Sequence, residues 1–267
     1  MGLTHMHIQE LLDADRAHAC DGVGPDHVCV NIAAIAELPS RFGQFHIVAF
    51  YNNKDNKEHV AIVHGDVTNS EDVPVRVHSE CLTGDVLGSL RCDCRDQLES
   101  ALLKIGKLEK GILLYMRQEG RGIGLVNKIR AYGLQEHGYD TVEANIALGF
   151  RDDERDYSVA AHMLMSLKVK SIQLITNNPK KIEDLTKNGI KVTGRIPHIM
   201  QPNQYNRFYL ETKARKSGHM IDFGTTMRLP EQADAPIVDG MNGEQTKVIQ
   251  KIYNTYASDK HKHAHTA

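Results

Sequence analysis

The stretch Val169-Lys-Ser-Ile-Gln-Leu-Ile175, Thr176-Asn-Asn178, Pro179-Lys-Lys-Ile-Glu-Asp-Leu-Thr-Lys187, Asn188-Gly189 and Ile190-Lys-Val-Thr-Gly-Arg-Ile196 decides the fold. An apolar run reads as a strand and ends in a polar turn. Proline then opens a helix, where its missing N–H costs nothing, and Gly189 stops it before a second strand begins. A helix from Asp156 to Leu167 precedes the first strand. This alternation predicts an α/β layer with some parallel strands, since an intervening helix lets the second strand run in the same direction as the first.

Upstream, Gly111 to Tyr115 reads as a short buried strand, followed by the glycine-rich Arg117-Gln-Glu-Gly-Arg-Gly-Ile-Gly124 and a helix with an apolar stripe of Leu125, Ile129 and Tyr132. Strand, glycine loop and helix in succession commonly face phosphate. Between Asp96 and Leu108, Leu98, Ala101, Leu102, Ile105 and Leu108 recur at helical spacing. Gln44 to Tyr51, His59 to His64 and Val73 to Val77 are strand-like runs parted by polar turns. The expected fold is therefore α/β, a mixed sheet flanked by helices, with an antiparallel β-meander in the N-terminal half. After Met220 comes an acid-rich stretch, Leu229 to Asp239. Residues 243–257 then form an amphipathic segment holding Val248, Ile249, Ile252, Tyr253 and Tyr256, read as a helix that docks on the core or on a partner. His261, His263 and His265 read as a solvated tail.

The 267 residues, 41% hydrophobic, suffice for one large domain or two modest ones. The N-terminus lacks a basic segment followed by an apolar run, and nothing approaches the roughly 18 apolar residues of a membrane span. The expectation is a cytoplasmic protein with reduced cysteines. A formal charge of -2 gives no general attraction for nucleic acid or anionic lipid, and 6% aromatics without tryptophan make a poor stacking platform. Neither a nucleic-acid nor a membrane partner is expected.

Cys81, Cys92 and Cys94 cluster between the predicted sheet and helix, while Cys20 and Cys29 lie apart and are expected only to pack. Structural zinc sites use four protein ligands, whereas catalytic sites use three and leave a position open. A disulfide, a redox pair at Cys92-x-Cys94 and buried apolar thiols fit the spacing too. Gly120-x-Gly122-x-Gly124 is neither a dinucleotide-binding nor a Walker spacing. It offers Arg117, Arg121 and backbone amides to phosphate, although a tight turn with solvated charges reads as well. The charged run Arg151 to Asp156 and the lysines of Thr176-Asn-Asn-Pro-Lys-Lys181 suit helix ends. Lys180 and Lys181 oppose the helix dipole there, so an anion would relieve the conflict.

In this order the motifs stop being independent. Arg76-Val-His-Ser-Glu-Cys81-Leu-Thr-Gly-Asp85, Leu90-Arg-Cys-Asp-Cys94, Arg117-Gln-Glu-Gly-Arg121, Asn127-Lys-Ile-Arg-Ala-Tyr132, Asp153-Glu-Arg-Asp156 and Thr176 to Lys181 resemble GTP cyclohydrolase II over residues 36–220. Residues 1–35 and 221–267 are extensions about which the resemblance is silent.

The resemblance implies hydrolysis of GTP to 2,5-diamino-6-hydroxy-4-(5-phosphoribosylamino)pyrimidine, formate and pyrophosphate, the first committed step of riboflavin biosynthesis. It implies one zinc ion per chain on Cys81, Cys92 and Cys94, supplying a water that attacks purine C8, with magnesium on the triphosphate. By the same resemblance Arg76, Val77, His78, Ser79, Glu80, Gln97, Glu119, Gly120, Arg121, Thr141, Thr176 and Lys181 contact GTP. Among these, Arg76, Arg121 and Lys181 suit phosphate, and Glu119 suits the guanine N1 and amino hydrogens. Asp153 and Arg155 match a proton acceptor and a nucleophile for the α-phosphoryl group. Chemically, an electrostatic clamp by Arg155, oriented by Asp153, fits equally. Tyr132 matches a tyrosine that assists ring opening. The family is commonly homodimeric, so a homodimer is expected. Two other outcomes are an enzyme that stops at the formamidopyrimidine nucleotide and a guanine-nucleotide-binding protein without turnover. Retention of Tyr132 and the cysteines argues against the first, and retention of Asp153 and Arg155 against the second.

Overall fold

The computed structural model describes residues 5–16, 27–55 and 57–200. The expected helix at 243–257, the histidine tail and the rest of 201–267 lie outside them. So does most of the N-terminal extension.

One seven-stranded sheet organises the described chain, in the order β1-β2-β3-β5-β4-β6-β7. β1 (Val30–Ser40), β2 (Gly43–Asn52) and β3 (His59–His64) run antiparallel as consecutive neighbours. β4 (Val73–Ser79) lies parallel to β5 (Gly111–Met116) on one side and to β6 (Ile172–Ile175) on the other, and β7 (Val192–Ile196) extends the parallel half. The mixed sheet is the one expected, but the Val73–Val77 strand does not continue the meander. β5 takes the place beside β3, antiparallel to it, and pushes β4 one position further. The reason is burial. β4 and β5 are buried along nearly their whole length and occupy the middle, where both faces are covered. β1 straddles the expected boundary at residue 35.

Alternation along β5 assigns its two faces. Ile112, Leu114 and Met116 join the larger core with Val48, Phe50, Ala61, Val63, Val75 and Val77, under α5 (Ser158–Ser166) and α6 (Pro179–Lys187). Leu113 points the other way, to Phe45, Ile175 and the Ala101 and Ile105 face of α2 (Cys94–Ile105). Leu11 of α1 (His5–Arg16) is fully buried against the larger core. Cys29, expected only to pack, is disulfide-bonded.

α3 (Gly124–Gln135) and α4 (Thr141–Ala147) pack on each other through Ala131, Leu134 and Ala144, apart from both sheet cores. Asp140 starts α4 with a capping box, accepting from the Val142 and Glu143 amides while the Glu143 carboxylate accepts from its own. The expected α3 stripe is corrected in part. Leu125 and Ile129 are exposed, and the buried residues are Lys128, Ala131 and Leu134, because α3 turns its inner side toward α4 and the cavity between them rather than toward the sheet.

Candidate active site

Ligands in open α/β sheets collect beyond the carboxyl ends of parallel strands. Here β4 runs into Glu80 and Cys81, and β5 into Gln118 to Arg121. A cavity of about 420 Å³ opens there, walled on its other side by α3 and α4. Of the residues singled out in the sequence, Ser79, Glu80, Cys81, Cys92, Cys94, Glu119, Gly120, Arg121, Tyr132, Thr141 and Arg155 line it. Arg76, Val77, His78, Gln97, Asp153, Thr176 and Lys181 are not among its lining residues.

The sulfurs of Cys81, Cys92 and Cys94 lie within 4.8 Å of one another, with Cys81 and Cys92 Sγ 3.6 Å apart. A single π-turn over Leu82–Val86 brings them together. Gly84 in that turn is buried beneath the thiols. A Cβ there would come within 2.8 Å of Cys92 Sγ and 3.1 Å of Cys81 Sγ, so the sulfurs converge over a position that only glycine fits. Hydrogen bonds from the Cys92 and Cys94 thiols, then burial working against them, then Lys128 act on Cys81, and the balance pulls its thiol far below the usual range. Bonding to Cys81 pushes Cys92 up to about 11 and Cys94 well above its ordinary value. Three converging thiols of this kind could hold a zinc ion, which would displace their protons.

Asp85 ties this loop to the sheet. Its carboxylate accepts from His78 Nε2 at 3.1 Å, from the Cys81 amide at 3.0 Å and from the Tyr115 hydroxyl at 2.8 Å. Burial holds His78 neutral by lowering its pKa. Tyr132 reaches the thiols indirectly, its hydroxyl 3.2 Å from Thr83 Oγ1, which lies 3.7 Å from Cys81 Sγ.

The glycine loop is bent by successive left-handed residues, Gly120 at φ 63° and Arg121 at φ 60°. Arg121 carries a side chain in a region that disfavours one, a strain often stored at functional sites. The bend aims the Arg121 guanidinium at the Asp152 carbonyl, 3.1 Å away. Glu119 is buried, and its carboxylate already accepts from the Leu82 amide at 2.6 Å, the Gly120 amide at 3.0 Å and Lys128 Nζ at 2.7 Å. To read a purine edge it would have to exchange one of these partners.

Asp153 and Arg155 form a two-point ion pair, with Nε to Oδ1 at 2.8 Å and Nη2 to Oδ2 at 2.5 Å. Burial works against the Asp153 carboxylate, yet the guanidinium outweighs it and holds the pKa down to about 2. Behind them, Arg76 donates to the Ile175 carbonyl at 2.9 Å and to Gln97 Oε1 at 2.5 Å. Its Nε is buried with no partner among the described residues. Burial lowers its pKa to about 10, which still leaves it charged at neutral pH. Lys181 turns inward to the Val77 carbonyl at 2.7 Å, while Lys180 pairs outward with Asp184 at 3.0 Å. Asn178 caps α6 by accepting the Lys180 amide, and Thr176 accepts the Asn178 amide.

Over residues 31–197 the chain matches the family model described as GTP cyclohydrolase II. The chain belongs to the GTP cyclohydrolase II family. It is 60% identical over 186 residues to GTP cyclohydrolase-2 of Picrophilus torridus, covering 70% of this chain and 96% of that one. It is 56% identical over 192 residues to GTP cyclohydrolase-2 of Tolumonas auensis, covering 72% of this chain and 98% of that one. A riboflavin biosynthesis protein, RibBA, of Bacillus mycoides is 56% identical over 185 residues, 69% of this chain and 47% of the relative. Membership places the chain among enzymes of the GTP cyclohydrolase II class. No helix among the described residues is long and apolar enough to cross a membrane.

Lys128, Asp85 and Thr83 also meet at the site, although the motifs that contain them assign them no role. Lys128 lies four residues before Tyr132, on the same helical face, and that spacing was the available signal.

Proposed function

We propose that this member of the GTP cyclohydrolase II family hydrolyses GTP to 2,5-diamino-6-hydroxy-4-(5-phosphoribosylamino)pyrimidine, formate and pyrophosphate in riboflavin biosynthesis. One observation carries the reading. The three-thiol cluster and the Arg155 guanidinium open onto one cavity of about 420 Å³, within the size range of small-ligand sites. A zinc ion held by Cys81, Cys92 and Cys94 would supply Lewis acidity and a nucleophilic water at neutral pH, where C8 of the purine is to be attacked. Magnesium would accompany the triphosphate and ease departure of pyrophosphate.

The chain's own residues do the rest. Arg121 and Arg155 present cations to the cavity, and Arg76 and Lys181 add buried positive charge along β4, so a triphosphate enters a field arranged in advance. Tyr132, bonded to Thr83 beside the thiols, is placed to carry a proton during ring opening. Asp153 is ionised and weakly basic, since the guanidinium that depresses its pKa is the group from which it would have to take a proton. Arg155 therefore acts as a clamp on the α-phosphate, oriented by Asp153, rather than as a nucleophile. The protein functions as a cytoplasmic homodimer.

Incubation with GTP, zinc and magnesium should release formate and pyrophosphate in equal amounts. Pyrophosphate with no formate would instead mark an enzyme stopping at the formamidopyrimidine nucleotide. Neither product would mark a binding protein.

A further inference from the structure

We propose that Lys128 is a positioning residue of the thiol centre, holding a fixed positive charge against the Cys81 sulfur and fastening Glu119 to the cysteine loop. Lys128 is a lysine with only 9% of its surface exposed, on the inner side of α3. Its Nζ lies 3.0 Å from Cys81 Sγ and 2.7 Å from Glu119 Oε1. The other Glu119 oxygen accepts the amide of Leu82, the residue after Cys81, at 2.6 Å. The contacts close a ring: Cys81, Leu82, Glu119, Lys128 and back to Cys81. Backbone geometry admits the lysine stem. A Cβ on left-handed Gly120 would meet Lys128 Cβ at 3.0 Å, so glycine gives the stem its room.

An ammonium has no lone pair, so Lys128 cannot itself be a metal ligand. Its part is electrostatic. Three thiolates around a divalent ion leave one net negative charge, and a half-buried site bears that poorly without a counter-charge. A hydrogen bond from an ammonium also withdraws electron density from the sulfur. That restores to the metal some of the Lewis acidity that three thiolates remove. Because the same ammonium holds Glu119, the cysteine loop and the glycine loop are set in one geometry.

The inference rests on the reading that the three sulfurs hold a divalent metal, and the test separates the two. The full-length protein and its Lys128→Met, Lys128→Gln and Lys128→Arg variants are loaded with cobalt(II), whose thiolate charge-transfer absorption reports sulfur donation directly. Metal affinity is measured by competition with a chelator. Lys128→Met and Lys128→Gln should bind metal about 10 to 100-fold more weakly than the parent protein. Their charge-transfer band should move to lower energy, because an unbonded thiolate gives up electrons more easily. Lys128→Arg, which keeps the charge, should stay close to the parent band. Parent-like band energy and affinity in both neutral variants would overturn the proposal. A parent protein that shows no thiolate charge-transfer band would instead overturn the metal reading beneath it.

Discussion

At the thiol corner of the cavity three acidic groups face one another with the Lys128 ammonium against only one of them. Elsewhere at the cavity Arg155, which lines it, closes on Asp153 through two short contacts, and their charges cancel. The first arrangement is unfinished without a cation. The second is complete by itself and costs an incoming phosphate only a partial exchange of partners. Under the proposed function, the difference separates chemistry from grip. Bond breaking at C8 needs an electrophile that protein side chains do not provide, whereas a phosphoryl group needs a pre-set positive charge.

The comparison breaks most visibly at Arg155. Arg155→Ala should lower kcat about 100 to 1,000-fold, the usual cost of a lost donor to developing charge. Arg155→Lys should recover part of that, since lysine keeps the charge but not the two-point fork. A covalent role predicts a nucleotidyl adduct on Arg155 in single-turnover samples of the parent enzyme, which mass analysis would detect; its absence throughout the turnover supports the clamp.

A Gly84→Ala change sharpens the other side. The added methyl falls 2.8 Å from Cys92 Sγ, so the sulfurs must spread. Overpacking of this kind costs about 1 to 3 kcal/mol. Zinc stoichiometry and chelator competition should show weakened metal binding with the secondary structure retained. Parent-like affinity would mean that the sulfurs do not close over that position.

Acid titration of stability probes the closed pair more gently. The folded-state pKa of Asp153 is depressed from 3.8 to about 2. Its ionised form therefore stabilises the fold above the unfolded value, and this contribution is lost as pH falls through about 2. Asp153→Asn should cost about 2 kcal/mol in denaturant unfolding at neutral pH, with the gap to the parent protein narrowing in acid. A gap independent of pH would assign the loss to packing instead.

Much of the parallel half was legible. Pro179 and Gly189 mark α6 from its first residue to its end, the apolar run at 111–115 becomes a strand, and the run read from 169 to 175 is a strand over Ile172–Ile175. Sheet order was less so, because the Val73–Val77 pattern says strand but not which neighbour, and neighbour choice follows from burial on both faces. β1 went unread, since its alternation is half exposed and interrupted by the shift between Ile32 and Ala34. In the site, the cysteine spacing pointed to a cluster but not to the π-turn that closes it. The hydrogen bonds that occupy Glu119 come from a loop and a helix far apart in sequence, and no local pattern encodes them.

The central claim is that ring opening belongs to the thiol corner and phosphate chemistry to Arg155. Formate and pyrophosphate measured together from GTP and the Cys92→Ser protein test it most directly. The account predicts loss of formate with pyrophosphate still released. Undiminished formate from that protein would contradict it.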